Sequence, residues 1–163
     1  MPGLFGIRTR LYYFITMTTY EIQWNLREFT GTEKYHKHLF PGKSGIVLTD
    51  GCHFVREQCK AYWLFDAILS YQCDPRLRNI KFQIWILQRL KKDLSWELTC
   101  KEDTGKKPII ITQIIEFSDF PLDSIKIWMI DGICLLPSEY WEWHIYNSFN
   151  WESLSPHLMR SLG

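Results

Sequence analysis

Downstream of residue 80 the chain alternates in steps of two; upstream its apolar residues recur every three or four positions. In FQIWIL, Phe82–Leu87, one side of a strand would carry Phe82, Ile84 and Ile86. The other side would carry Gln83, Trp85 and Leu87. Trp96 to Cys100 reads as the return strand, Asp103-Thr104-Gly105 as a turn, and Ile109 to Ile115 as a third strand. Ile125–Ile130 and Ile133–Leu136 flank Asp131-Gly132, a strong hairpin signal. Several of these strands carry apolar residues on both faces. Such a sheet is expected to be covered on more than one side or to lie in an interface.

Helical spacing appears first in EIQWNLREF, residues 21–29, through Ile22, Leu26 and Phe29. Thr19 is the candidate cap, and Thr30-Gly31 the stop. Residues 31–45 read as a loop and Ile46–Leu48 as a short strand. The main helix is expected from Phe54 to Tyr71, with Val55, Cys59, Tyr62, Phe65 and Leu69 on its apolar stripe and a weak point near Lys60. Thr49 and Asp50 are its candidate caps, and Cys73-Asp74-Pro75 ends it. The fold class is therefore α+β: an antiparallel sheet of four to five strands packed against a main helix and shorter helices. Residues 1–163 read as one domain with a core at 20–140, an N-terminal extension and an aromatic C-terminal tail.

Composition narrows the function classes. Apolar residues make up 46%, enough for a core without staples. The net charge of +1 implies no global attraction to nucleic acid or anionic lipid. Arg89, Lys91, Lys92, Lys101, Lys106 and Lys107 fall at predicted turns, where charged residues are ordinary. A nucleic-acid binder would need Arg89, Lys91, Lys92 and Lys106 to converge on one face, and that partner is disfavoured. The five cysteines form no CxxC pair, which suits a reduced, cytoplasmic protein. The early LYYFI run is too short to span a membrane.

Candidate chemistry is sparse. His36 and His38 supply two metal ligands where zinc needs three or four, so no metal or cofactor is expected. Asp66 interrupts the apolar stripe and calls for a hydrogen-bonded partner, with Tyr62 four residues before it. Asp50 suits a turn or cap, and Glu139 a cap or ion pair. Glu116, Asp119 and Asp123 lack calcium-loop spacing. No GxSxG, HExxH or phosphate loop is present. A hydrolase or metal-dependent enzyme would have to use His36, Asp50, Asp66 or Glu139. The eight tryptophans suit core packing first and a protein or self-association surface second; an interface would use Trp141, Trp143, Trp151, Phe117 and Phe120 as contact residues.

LTDG (Leu48–Gly51), AYWLFDAILSYQ (Ala61–Gln72), FQIW (Phe82–Trp85), QIIEFSDFPL (Gln113–Leu122) and DGICLLPSEY (Asp131–Tyr140) occur in that order after FTGTEKYHKH (Phe29–His38). Over roughly residues 22–140 this set resembles a small bacterial family, found in cyanobacteria and on mobile elements, catalogued as a domain of unknown function. The resemblance carries no biochemical activity. The mobile-element association implies a small accessory protein that inhibits host defence. The expectation is a protein-interaction module acting by steric binding of a host protein or of a second copy, with an enzyme as the rival.

Overall fold

The alternating runs form the strands of one seven-stranded sheet in a computed structural model, which describes residues 17–140 apart from 43, 93 and 104. The order of elements is α1 (Thr19–Glu28), β1 (His36–His38), β2 (Ile46–Leu48), α2 (Asp50–Gln58), α3 (Tyr62–Tyr71), β3 (Phe82–Arg89), β4 (Trp96–Glu102), β5 (Ile109–Ile115), β6 (Ser124–Ile130) and β7 (Ile133–Leu135). A 3₁₀ turn, Pro137–Glu139, follows. Across the sheet the strands run β1-β2-β7-β6-β3-β4-β5.

The α+β class holds, but the strand count rises from the expected four or five to seven. β1 lies inside the segment read as a loop; three residues of HKH carry no alternation that a sequence could betray. The sheet is also mixed, because β2 pairs with β7 in parallel while every other pairing is antiparallel. β2 is clamped to β7 by Val47 N–H to the Gly132 carbonyl and Thr49 N–H to the Cys134 carbonyl, each 3.0 Å. The β6–β7 hairpin turns at Asp131 (φ 48°) and Gly132 (φ 84°), the paired left-handed geometry that Asp-Gly favours.

The expected single main helix is two helices. Lys60 takes φ 50° between α2 and α3, and Ala61 N–H returns to the Arg56 carbonyl at 3.0 Å. A left-handed residue breaks the ladder there, so α3 leaves in a new direction. In α1 the cap is Thr18, not Thr19. The Thr18 hydroxyl accepts from the Glu21 amide, and the Glu21 carboxylate accepts from the Thr18 amide at 2.7 Å, a capping box. Thr19 instead donates to the Pro121 carbonyl at 3.1 Å and ties α1 to the loop before β6.

All three helices contribute to one core cluster with Trp85, Leu87, Leu98, Cys100, Ile111, Ile127 and Met129. Trp85 and Trp96 are each only 1% exposed, and Trp96 meets Phe120 edge-on with ring centroids 5.7 Å apart. Phe120 is thus a core residue and not a surface contact. Burying each such ring contributes about 2–3 kcal/mol. The other sheet face carries Val47, Ile84, Ile130 and Leu135, also buried but outside that cluster. Phe82, Trp128 and Tyr140 pack together there, with Trp128 edge-on to the other two rings. Trp141, Trp143 and Trp151 lie outside the described residues.

Candidate functional site

The candidate site is the β1 end of the sheet, where three histidines and three carboxylates meet around one arginine. In β1, His36 and His38 are two residues apart and therefore share a face. That face looks onto α2, which supplies Asp50, His53, Arg56 and Glu57, and onto α3, which supplies Tyr62 and Asp66.

Asp50 opens α2 behind the Thr49 cap, whose hydroxyl faces the Cys52 amide. Its carboxylate takes His36 Nε2 at 2.7 Å and the amides of Glu33 and Lys34 at 2.8 and 3.1 Å. Thr32 Oγ1 accepts the Asp50 amide and donates to the Lys34 carbonyl, both at 2.8 Å. The GTEK turn and α2 are therefore locked together through one carboxylate. Burial raises the Asp50 pKa, but the bonds from His36, Glu33 and Lys34 outweigh it and leave the group more acidic than usual.

Arg56 is buried, and its fork is engaged throughout. Nε faces Glu57 at 3.0 Å, Nη1 the Lys37 carbonyl at 3.2 Å and His38 Nδ1 at 3.4 Å, and Nη2 His53 Nδ1 at 2.9 Å. Guanidinium has donors only, so both Nδ1 atoms must accept. His38 and His53 then carry their ring hydrogen on Nε2, and His38 Nε2–H donates to Asp66 at 2.8 Å. The His53 ring lies flat against His36, with centroids 3.7 Å apart. Burial, then the His36 and Arg56 charges, lower the His53 pKa against the opposing pull of Glu57 and Asp50. The Tyr62 hydroxyl donates to Glu57, its ring lying under the Arg56 guanidinium.

The structure brings four candidates named singly from the sequence into two pairs: His36 with Asp50, and His38 with Asp66. Asp66 is part-exposed, and its partner is His38 from another element rather than Tyr62. Glu139 is held apart from the histidines. It is buried against the start of α2, accepting from Gly51 N–H at 2.9 Å and Leu136 N–H at 2.8 Å, with Thr49 Oγ1 at 2.6 Å. Burial raises its pKa. Phe117 is 84% exposed on the loop after β5.

The basic residues sit apart. Lys91 and Lys92 occupy the β3–β4 turn and Lys106 the β4–β5 turn, at opposite ends of β4. Arg89 packs over Trp96 at 4.8 Å. Among the described residues no group of three or more His, Cys, Asp or Glu side chains could hold a metal ion. The five cysteines carry free thiols, four of them buried, and no described helix is long and apolar enough to cross a membrane.

Sequence reading missed Arg56 as the centre of the site. The only trace was a cation three residues after His53 on the polar side of the helix, which also carries Asp50 and Glu57.

Beside this cluster a cleft of about 650 Å³ runs between residues 28–33 and α2. Phe29 and Phe54, 5.2 Å apart, line it together with Glu28, Glu33, Glu57 and His53.

Fold and site together define a small α+β protein with a mixed sheet and a histidine–carboxylate cluster at one sheet edge. The chain belongs to DUF6876, a family of unknown function whose model matches residues 20–140. No curated protein and no solved structure matches it.

Proposed function

We propose that this protein is a small protein-interaction module whose docking surface is the β1 edge and the adjoining acidic cleft. The observation that carries the reading is the set of exposed apolar side chains around one three-residue edge strand. Tyr35, Leu39 and Phe40 flank β1, and Tyr62 lies 6.3 Å from the His38 ring. Such side chains supply contact area, while the carboxylates of Glu28 and Glu33 on the neighbouring rim would orient a partner that presents lysine or arginine. The Arg56 cluster acts as the rigid base of this surface, since its donors are occupied internally.

The partner class is a host protein with a basic, apolar-anchored segment; self-association is the competing outcome. Inhibition of a host defence by a mobile-element protein is the finer form of this reading, and the resemblance in sequence alone supports it. The free thiols support a reducing, cytoplasmic setting.

The test is a pull-down from the native host with the full chain, repeated with Glu28→Lys/Glu33→Lys and with Tyr35→Ala. A partner retained by the native protein, recovered as a purified binary complex and lost in both variants supports the reading. A partner bound equally by all three proteins, or light scattering showing a monomer that recovers none, counts against it.

One observation favours acid–base chemistry as a second reading. Asp50 holds His36 through Nε2 at 2.7 Å, which leaves Nδ1 as the basic nitrogen of a ring that is a quarter exposed. An imidazole so oriented can take a proton from a bound water. Arg56 is engaged internally and is therefore not free to stabilise an oxyanion beside it. Turnover of any ester, amide or phosphoester panel member that disappears in His36→Gln would favour this reading over docking.

A further inference from the structure

We infer that the helix-free face of the sheet is covered by the chain's own C-terminal segment, residues 141–163. Paired positions on neighbouring strands share a face, so the register assigns Val47, Ile133 and Leu135, Ile130 and Trp128, and Phe82, Ile84 and Ile86 to one side. None of these residues belongs to the core that the three helices cover. Yet Ile84 is 4% exposed and Leu135 0%. Trp128 adds a second sign: its Nε1 is buried and meets no acceptor among the described residues. A buried indole N–H normally finds one.

The place where the described chain ends selects the occupant. The turn at Pro137–Glu139 brings Tyr140 onto this face, with its ring 5.0 Å from Trp128 and 6.2 Å from Phe82. Residue 141 therefore starts at the patch. Crossing from β7 to β4 covers three strand spacings, about 15 Å, which about five extended or ten helical residues span. The segment is long enough either way, and it carries Trp141, Trp143, Ile145, Phe149 and Trp151. Its acids Glu142 and Glu152 complement Lys101 and Lys126, which the same register sets on this face. The terminal indoles then serve as an inner layer of the fold and not as contacts for a partner.

The test places a benzophenone amino acid in the full chain at Ile86 and, in a second variant, at Thr99, its neighbour on β4. Each is irradiated as a mixture of isotopically light and heavy protein and mapped by mass spectrometry. The expected result is cross-links to residues 141–163 within one chain at monomer mass, from both positions. Cross-links to residues 1–16, mixed light–heavy links between two chains, or no link to 141–163 from either position would overturn the inference. Coverage is read independently by hydrogen exchange: Trp141→Ala/Trp143→Ala should accelerate exchange in β3 and β6 at least tenfold while α2 stays protected. Unchanged exchange in β3 and β6 counts against it.

Discussion

Arg56 Nη2 donates to His53 Nδ1 at 2.9 Å, and the same guanidinium faces His38 Nδ1 at 3.4 Å. For His53 the guanidinium makes protonation of the ring a like-charge contact, which adds to burial in disfavouring the charged form. The consequence has a definite sign. Its folded pKa lies below the ordinary 6.5, so the native state binds fewer protons than the unfolded chain as pH falls. The stability it contributes is complete above about 6.5 and is lost as pH drops through the folded pKa. Urea midpoints should decline between pH 7 and pH 5, and His53→Gln should flatten that part of the profile. An unchanged slope in the variant would remove His53 from the account.

Replacing Arg56 tests the centre directly. Arg56→Met should lower stability by about 2–4 kcal/mol, because Glu57 and two imidazoles lose a buried donor at once. Its distinctive readout is the histidine tautomers. Long-range nitrogen spectra should show His53 and His38 as Nε2–H species in the native protein and mixed species in the variant. Native rings protonated on Nδ1 would contradict the hydrogen-bond assignment.

Gly51 is confined by its neighbours and not by its backbone. A Cβ there would stand 2.6 Å from Leu136 Cδ1 and 2.8 Å from Glu139 Oε2. Gly51→Ala must displace the carboxylate that accepts from the amides of Gly51 and Leu136. A loss of about 1–3 kcal/mol in denaturant melts is expected, far beyond the effect of helix propensity, which favours alanine.

Glu139→Ala should cost about 2–4 kcal/mol, since it leaves the Gly51 and Leu136 amides without an acceptor. Combined with Gly51→Ala the losses should fall well short of additive, because both changes disturb one contact. Additive losses in the double-mutant cycle would show the two to act separately.

The Asp50 carboxylate joins the 32–34 turn to α2, so Asp50→Ala should release that turn before it unfolds the sheet. Amides of Glu33 and Lys34 are expected to lose hydrogen-exchange protection while those of β3 and β4 keep theirs. Equal loss throughout would mean that the link supports the whole fold.

Much of the sheet was legible in residue order. The β3, β4, β5 and β6 strands alternate for seven or eight residues, and Asp131-Gly132 marks its own turn by chemistry. β1 was invisible because HKH has neither length nor period; it is a strand only because Leu48 and Ile46 lie opposite its ends. The histidines and Asp50 were noticed one by one, but their grouping was not. His38 and Asp66 are far apart in sequence, and the arginine between them looked like an ordinary solvated helix residue.

Periodicity and turn chemistry determined the α+β class, the Asp131-Gly132 hairpin, the Thr49 cap of α2 and the presence of two apolar sheet faces, because these depend on residues within a few positions of one another. Tertiary structure decided the seventh strand, the parallel β2–β7 pairing and the assembly of His36, His38, Asp50, His53 and Asp66 around Arg56. Those depend on where the sheet ends and what packs across it, and the free energy of such contacts exists only once distant segments have been brought together.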